Sequence, residues 1–247
     1  MKKIIVILLF VVFACDSKDA NDCFQTMGTI VQEEIEVTPF NKILVDRNVK
    51  LVLNQGTSYD VKVEAGENLI NDVDVRVVGQ QLQLSDNNTC NFFRDYAAIK
   101  VYVTAPDIKE IRSSTQFTVE TNGVFVVDKI NLFSEDFNAH ESFTVGDFDM
   151  QLNANKIHIV SNNLSSFYLS GNVTDLFVGF YSGAGRFEGE NLIAQNVEVY
   201  HRGSNDMIVN PQLKLIGELL GTGNLIITNE PSIMNVEQIY TGEVVIQ

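Results

Sequence analysis

Tryptophan is absent from the 247 residues, histidine and cysteine occur three times each, and 17 lysines and arginines face 32 aspartates and glutamates. Each shortage narrows function. A formal charge of −15 disfavours nucleic acid and anionic headgroups as partners, since either needs a basic patch that releases counterions. His140, His158 and His201 stand at no metal-ligand spacing from one another, so no metal site is expected. His158 alternates with Ile157 and Ile159, which places it on the opposite, solvent-facing side of a strand. No nucleophile elbow accompanies the serines, which argues against a Ser-His-Asp triad. The acidic pairs Glu135–Asp136 and Asp147–Asp149 offer oxygens but fit no calcium loop. The glycine turns SGAGRF (182–187) and GTGN (221–224) lack the Gly-Lys-Ser/Thr ending and following helix of a phosphate loop, and no cofactor is expected.

The N-terminus also lacks a run long enough to span a bilayer. Lys2 and Lys3 precede ten apolar residues, Ile4–Phe13, followed by Ala14 and Cys15, the layout of a secretory signal. Val12-Phe13-Ala14-Cys15 resembles a bacterial lipobox, which implies cleavage before Cys15 and lipidation there, with acyl chains giving durable anchoring. Loss of residues 1–14 removes two lysines and takes the charge from −15 to −17. Cys23 and Cys90 remain, an even count in an exported chain, and predict one disulfide. Residues 15–30 read as a lipidated tether.

What the sequence has in abundance is a repeat. NNLSSF (162–167), SGAGRF (182–187), RGSNDM (202–207), GTGN-Leu225 and TGEV (241–244) are tight polar turns, each ending on one apolar residue. The anchors Phe167, Phe187, Met207, Leu225 and Val244 are spaced by 20, 20, 18 and 19 residues, a period that marks stacked units. Phe143 and Phe117 extend the column upstream at looser spacing. Alternating pairs, Ile157/Ile159, Leu176/Val178, Val197/Val199 and Leu213/Leu215, precede the anchors, so each unit reads as strand, turn, strand, stable only against a neighbour.

Residues 31–105 show period-2 alternation broken by the turns NQGTS and GQ and by one helical turn at GENLIND, the pattern of β-hairpins. Between Gln80 and Ile99 lies an irregular insert with Cys90, Phe92, Phe93, Arg94 and Tyr96; aromatic residues with an arginine on a tied loop form a candidate binding loop. Capping of the first rung is the alternative role for these rings. The expected fold is all-β, a right-handed β-helix or β-solenoid over 106–247 with N-terminal β-hairpins over 31–105, the two continuous as one domain.

PFNKILV, YDVKVEAGENLINDVDVRV, QLQLSDNN and IKVYVTAPDIKEI, followed by GTGNLIITNEP and TGEV, resemble the GIN head domain family of autotransporter adhesins over roughly residues 35–247. NNLSSF departs from that family's Gly-x-Gly turn. The resemblance implies stacked β-coils, an exported or lipid-anchored protein of Bacteroidetes-type bacteria, and no enzymatic activity. The expectation is therefore a binding or adhesion protein of the cell envelope, lipid-anchored on a periplasmic or surface face. Its partner would be a glycan, a protein or another copy of itself. A carbohydrate-active enzyme and a structural envelope protein are the alternatives. Missing tryptophan, and repeat positions filled by Asn, Ser, Gly and aliphatics, weigh against the enzyme.

Overall fold

A computed structural model describes residues 26–88, 99–137 and 142–247. The protein is all-β. Eight short strands come first: β1 (Ile30–Ile35), β2 (Lys42–Val45), β3 (Val49–Gln55), β4 (Asp60–Gly66), β5 (Val73–Val78), β6 (Gln81–Asp86), β7 (Ile99–Ala105) and β8 (Glu110–Ser113). Five long ones follow: β9 (Val119–Ser134), β10 (Phe148–Ser161), β11 (Phe167–Phe180), β12 (Phe187–His201) and β13 (Met207–Leu219). Three short strands close the chain: β14 (Leu225–Ile227), β15 (Ile233–Gln238) and β16 (Val244–Ile246). All sixteen join one mixed sheet that does not close on itself.

The long strands lie parallel, each on the next, and the anchor column is real. Val119, Phe148, Phe167, Phe187, Met207, Leu225 and Val244 stand in direct register across successive strands. From Val119 to Leu225 every member is fully buried, and the Phe148 and Phe167 rings stack at 4.7 Å and 6°. The backbone before each anchor is tied to the next turn: Phe148, Phe167, Phe187, Met207 and Leu225 donate their N–H to carbonyls of Ser166, Arg186, Asp206, Asn224 and Glu243. Side chains repeat the device, with Asp147, Asp206 and Asn224 accepting the backbone N–H of Ser166, Asn224 and Glu243. Parallel rungs thus satisfy their turn backbones as well as their strands.

The long strands β9 to β12 also bend. In β10 the inward residues are Phe148, Met150 and Leu152, then Ile157 and Ile159, with Asn155 and Lys156 both exposed between them. Strict alternation cannot move from even to odd positions without an added outward residue, so the strand turns a corner there and both halves face one core. β11 shifts likewise between Val173 and Leu176, and β12 between Ala194 and Val197.

Several expectations need correction. Phe143 is 40% exposed and Phe117 half-buried; Phe148 and Val119 hold their places in the column. Leu213 is exposed, because register shifts at Pro211 put Leu215 and Gly217 opposite Val197 and Val199. Of the N-terminal hairpins only β5–β6 pairs as one, around Gly79 at φ 63°, a left-handed conformation that suits glycine. β3 and β4 form no hairpin, since β7 lies between them, parallel to β3 and antiparallel to β4. The helical turn at GENLIND is present as a 3-10 turn over Ile70–Asp72. β3 and β8 both pair with β9, so the N-terminal strands run directly into the stack.

The GTGN turn holds a buried histidine. His201 is fully buried, edge-on to Phe180, and neither ring nitrogen makes a hydrogen bond of normal geometry. Gly223 makes room for it, since a Cβ there would lie 2.4 Å from His201 Nε2 and 2.1 Å from the Asn205 carbonyl. Burial lowers the His201 pKa, only partly offset by the Asn205 backbone and Asp206.

Two outcomes follow for stability. Phe187→Ala should cost about 3 to 5 kcal/mol, read from denaturant midpoints, because a fully buried ring leaves a cavity. The His201 imidazole binds its proton more readily unfolded than folded. Stability should therefore decline as pH falls below about 6.5, the ordinary histidine value. Thermal midpoints measured from neutral to mildly acid pH should show that slope, and His201→Leu should make it shallower, the half-buried His158 supplying part of what remains.

Candidate functional site

The same register that aligns the core aligns the outward residues. On the second half of the long strands, the row next to the corner reads Lys129, Lys156, Asp175, Asn196 and Lys214 across β9 to β13. Two positions on, the row reads Asn131, His158, Phe177, Glu198 and Ile216. These two rows and Phe133 line an open groove of about 580 Å³, within the size range of small-molecule sites. Five rungs at strand spacing give it a length of about 19 Å.

Aromatic rings form its floor. His158 stacks on Phe177 at 4.7 Å and 14°, and Phe133 meets His158 edge-on at 6.1 Å. The Arg112 guanidinium covers Phe133 at 4.9 Å and pairs with the buried carboxylate of Glu135. Gly179 leaves space for rings on both sides, because a Cβ there would come within 2.8 Å of Phe177 and 2.9 Å of Tyr181. Tyr181 continues the surface, 4.8 Å from Tyr200 and edge-on to Phe137. His158 is thus outward, as its alternation implies, but half-buried among rings. Desolvation first, then Lys129, lowers its pKa, so at neutral pH it is an uncharged, stackable ring.

Charge in the groove differs from that of the chain. Lys156 lies 3.9 Å from Asp175, whose carboxylate also accepts the Asn196 amide at 2.9 Å. Among the described residues Lys129 and Lys214 have no ion-pair partner. The repeat positions read as Asn, Ser, Gly and aliphatics are the turns and the core; the outward rows add three lysines, two acids and the His158–Phe177 stack.

The acidic pairs serve the turns. Glu135 accepts the Phe137 N–H as well as Arg112, Asp136 accepts the Asn162 amide, and Asp147 accepts the Ser166 N–H. No group of three or more metal-ligating side chains occurs among the described residues. Cys15, Cys23, Cys90, Phe92, Phe93, Arg94, Tyr96 and His140 lie outside the described residues, so the lipidation site, the disulfide and the aromatic loop remain sequence expectations.

Comparison with known proteins fits this architecture. A solved structure of a putative adhesin from Bacteroides fragilis superposes with a TM-score of 0.79 at 20% identity, over 90% of this chain and 99% of the other. A putative adhesin from Parabacteroides distasonis gives a TM-score of 0.65 at 16% identity, over 90% of this chain and all of the other. A putative lipid binding protein from the same species gives 0.62 at 14%, over 90% and 98%. At these identities the likeness is one of fold. No protein of curated function gives a match. The family model described as "putative auto-transporter adhesin, head GIN domain" matches residues 39–231, most of the chain, and the protein belongs to that family.

Proposed function

We propose that this protein is a binding or adhesion module of the cell envelope that performs no chemistry and engages its partner through the groove on the outward face of β9 to β13. The observation that carries this reading is the groove itself, where a stacked aromatic floor lies beside lysines that lack a full set of internal partners. Half-exposed rings held by register are preorganised for contact, so little ordering is needed on binding. The rungs wind as a right-handed solenoid, in keeping with the strong right-handed preference of connections between parallel strands. The acylated Cys15 holds the domain at the membrane, as the lipobox resemblance implies, and the tether leaves the groove free to face outward.

One experiment tests both parts. Cells producing the full chain should adhere to surfaces coated with extracellular polysaccharide and protein. His158→Ser combined with Phe177→Ser should abolish adhesion while moving the unfolding midpoint only slightly, since both side chains are half-exposed. Cys15→Ser should shift the protein from the membrane to the soluble fraction. Unchanged adhesion by the double variant removes the groove from the account, and release of new reducing ends from the polysaccharide puts the enzyme reading in its place.

A further inference from the structure

The chemistry of the groove is narrower than that of a general adhesive patch. The molecule is acidic overall, yet Lys129, Lys156 and Lys214 stand in one outward row, brought there from positions 27 and 58 residues apart by register alone. Asp175, the acid within that row, is shared between Asn196 and Lys156. A second acid, Glu198, is exposed in the neighbouring row. Three lysines against two carboxylates line the groove; of the acids at its edges, Glu110, opposite Asn131, is already paired with Lys42, and Glu218 lies exposed two residues past Ile216.

The apolar side of the groove selects among anions. Phe177 has His158 against one ring face, while the next rung places Glu198 rather than a third ring beside it. An aromatic face attracts polarised C–H groups through its quadrupole, and a pyranose ring presents such groups on a flat side. Nearby, Asn131 donates its amide to the Lys109 carbonyl and Asn196 donates to Asp175, which leaves amide oxygens to accept hydroxyl protons. Compact cations, a ring platform and amide acceptors in a shallow trough suit a sugar that is charged and hydroxylated.

We propose that the groove binds an acidic saccharide, a short run of sugar units bearing carboxylate or sulfate groups, with those groups on Lys156 and Lys214 and one sugar face against Phe177. The proposal rests on the reading of this groove as the binding surface and adds the class of its ligand. Lysine suits the task, because an ammonium is a point charge on a flexible stem that can follow differently placed acid groups.

Calorimetric titration of the full chain with tetragalacturonate, a sulfated chondroitin tetrasaccharide and neutral galactotetraose tests it. An acidic tetrasaccharide should bind most tightly, and more weakly as salt is raised. Lys156→Gln with Lys214→Gln should weaken it about tenfold or more, as expected for lost charged hydrogen bonds, and leave the neutral sugar unchanged. Phe177→Ala should weaken every sugar that binds. Equal affinity for neutral and acidic sugars, indifferent to the lysine changes, overturns the acidic specificity but leaves the groove as a binding surface. Binding insensitive to both the lysine and Phe177 changes overturns the groove reading as well. Failure of both acidic sugars to bind, or tighter binding of polyglutamate or single-stranded DNA, overturns the proposal.

Discussion

Parallel register between successive rungs is the constraint on which everything else depends. An anchor such as Phe167 is paired in register with Phe148 on one side and Phe187 on the other, and no single rung has enough apolar surface to bury itself. The stack is stable because the same residue class returns to the same place. Turns reinforce it from outside the strands, where Asp147, Asp206 and Asn224 accept backbone N–H groups of the following rung. A one-residue slip would send a whole strand's core residues to solvent, so register is fixed more firmly than any single contact would fix it.

The same constraint creates the outward face. Because the core forbids slippage, side chains that have no core role are also held in rows, and the corner at Asn155–Lys156 gives the second half of each strand its own flat surface. There the family's architecture acquires features of this chain: stacked His158 and Phe177, and the lysine row beside them. Of the acidic side chains elsewhere, Glu135, Asp136 and Asp147 are occupied with turns, and Glu64, Glu110 and Glu120 with lysines on neighbouring strands.

The anchor column from Phe167 to Val244 was legible in the sequence because each member follows a short polar turn at nearly constant spacing. Upstream the regularity fails: 29 residues separate Val119 from Phe148, so Phe117 and Phe143 fit the spacing loosely while the buried places belong to their neighbours. The N-terminal strands alternate clearly, yet alternation says nothing of partners, and β7 enters between β3 and β4 from more than thirty residues away. The groove was hidden for a related reason. Its residues are scattered over 88 positions, from Lys129 to Ile216, and only the inward-facing periodicity, continued to the residues between, would have aligned them. His158 carried part of the signal, since its alternation with Ile157 and Ile159 already placed it outside.

Register itself can be tested directly by cross-linking. With Cys15, Cys23 and Cys90 replaced by serine, Asp149→Cys and Tyr168→Cys would sit directly opposite each other on the exposed sides of β10 and β11. Neighbouring parallel strands lie about 4.8 Å apart, within the Cα separation that a disulfide spans. Mild oxidation should close this pair rapidly in the folded protein, and Asp149→Cys with Ser170→Cys, two residues out of register, should close far more slowly. Faster closure of the displaced pair, or closure of neither, would contradict the stacking from which both the core and the groove are derived.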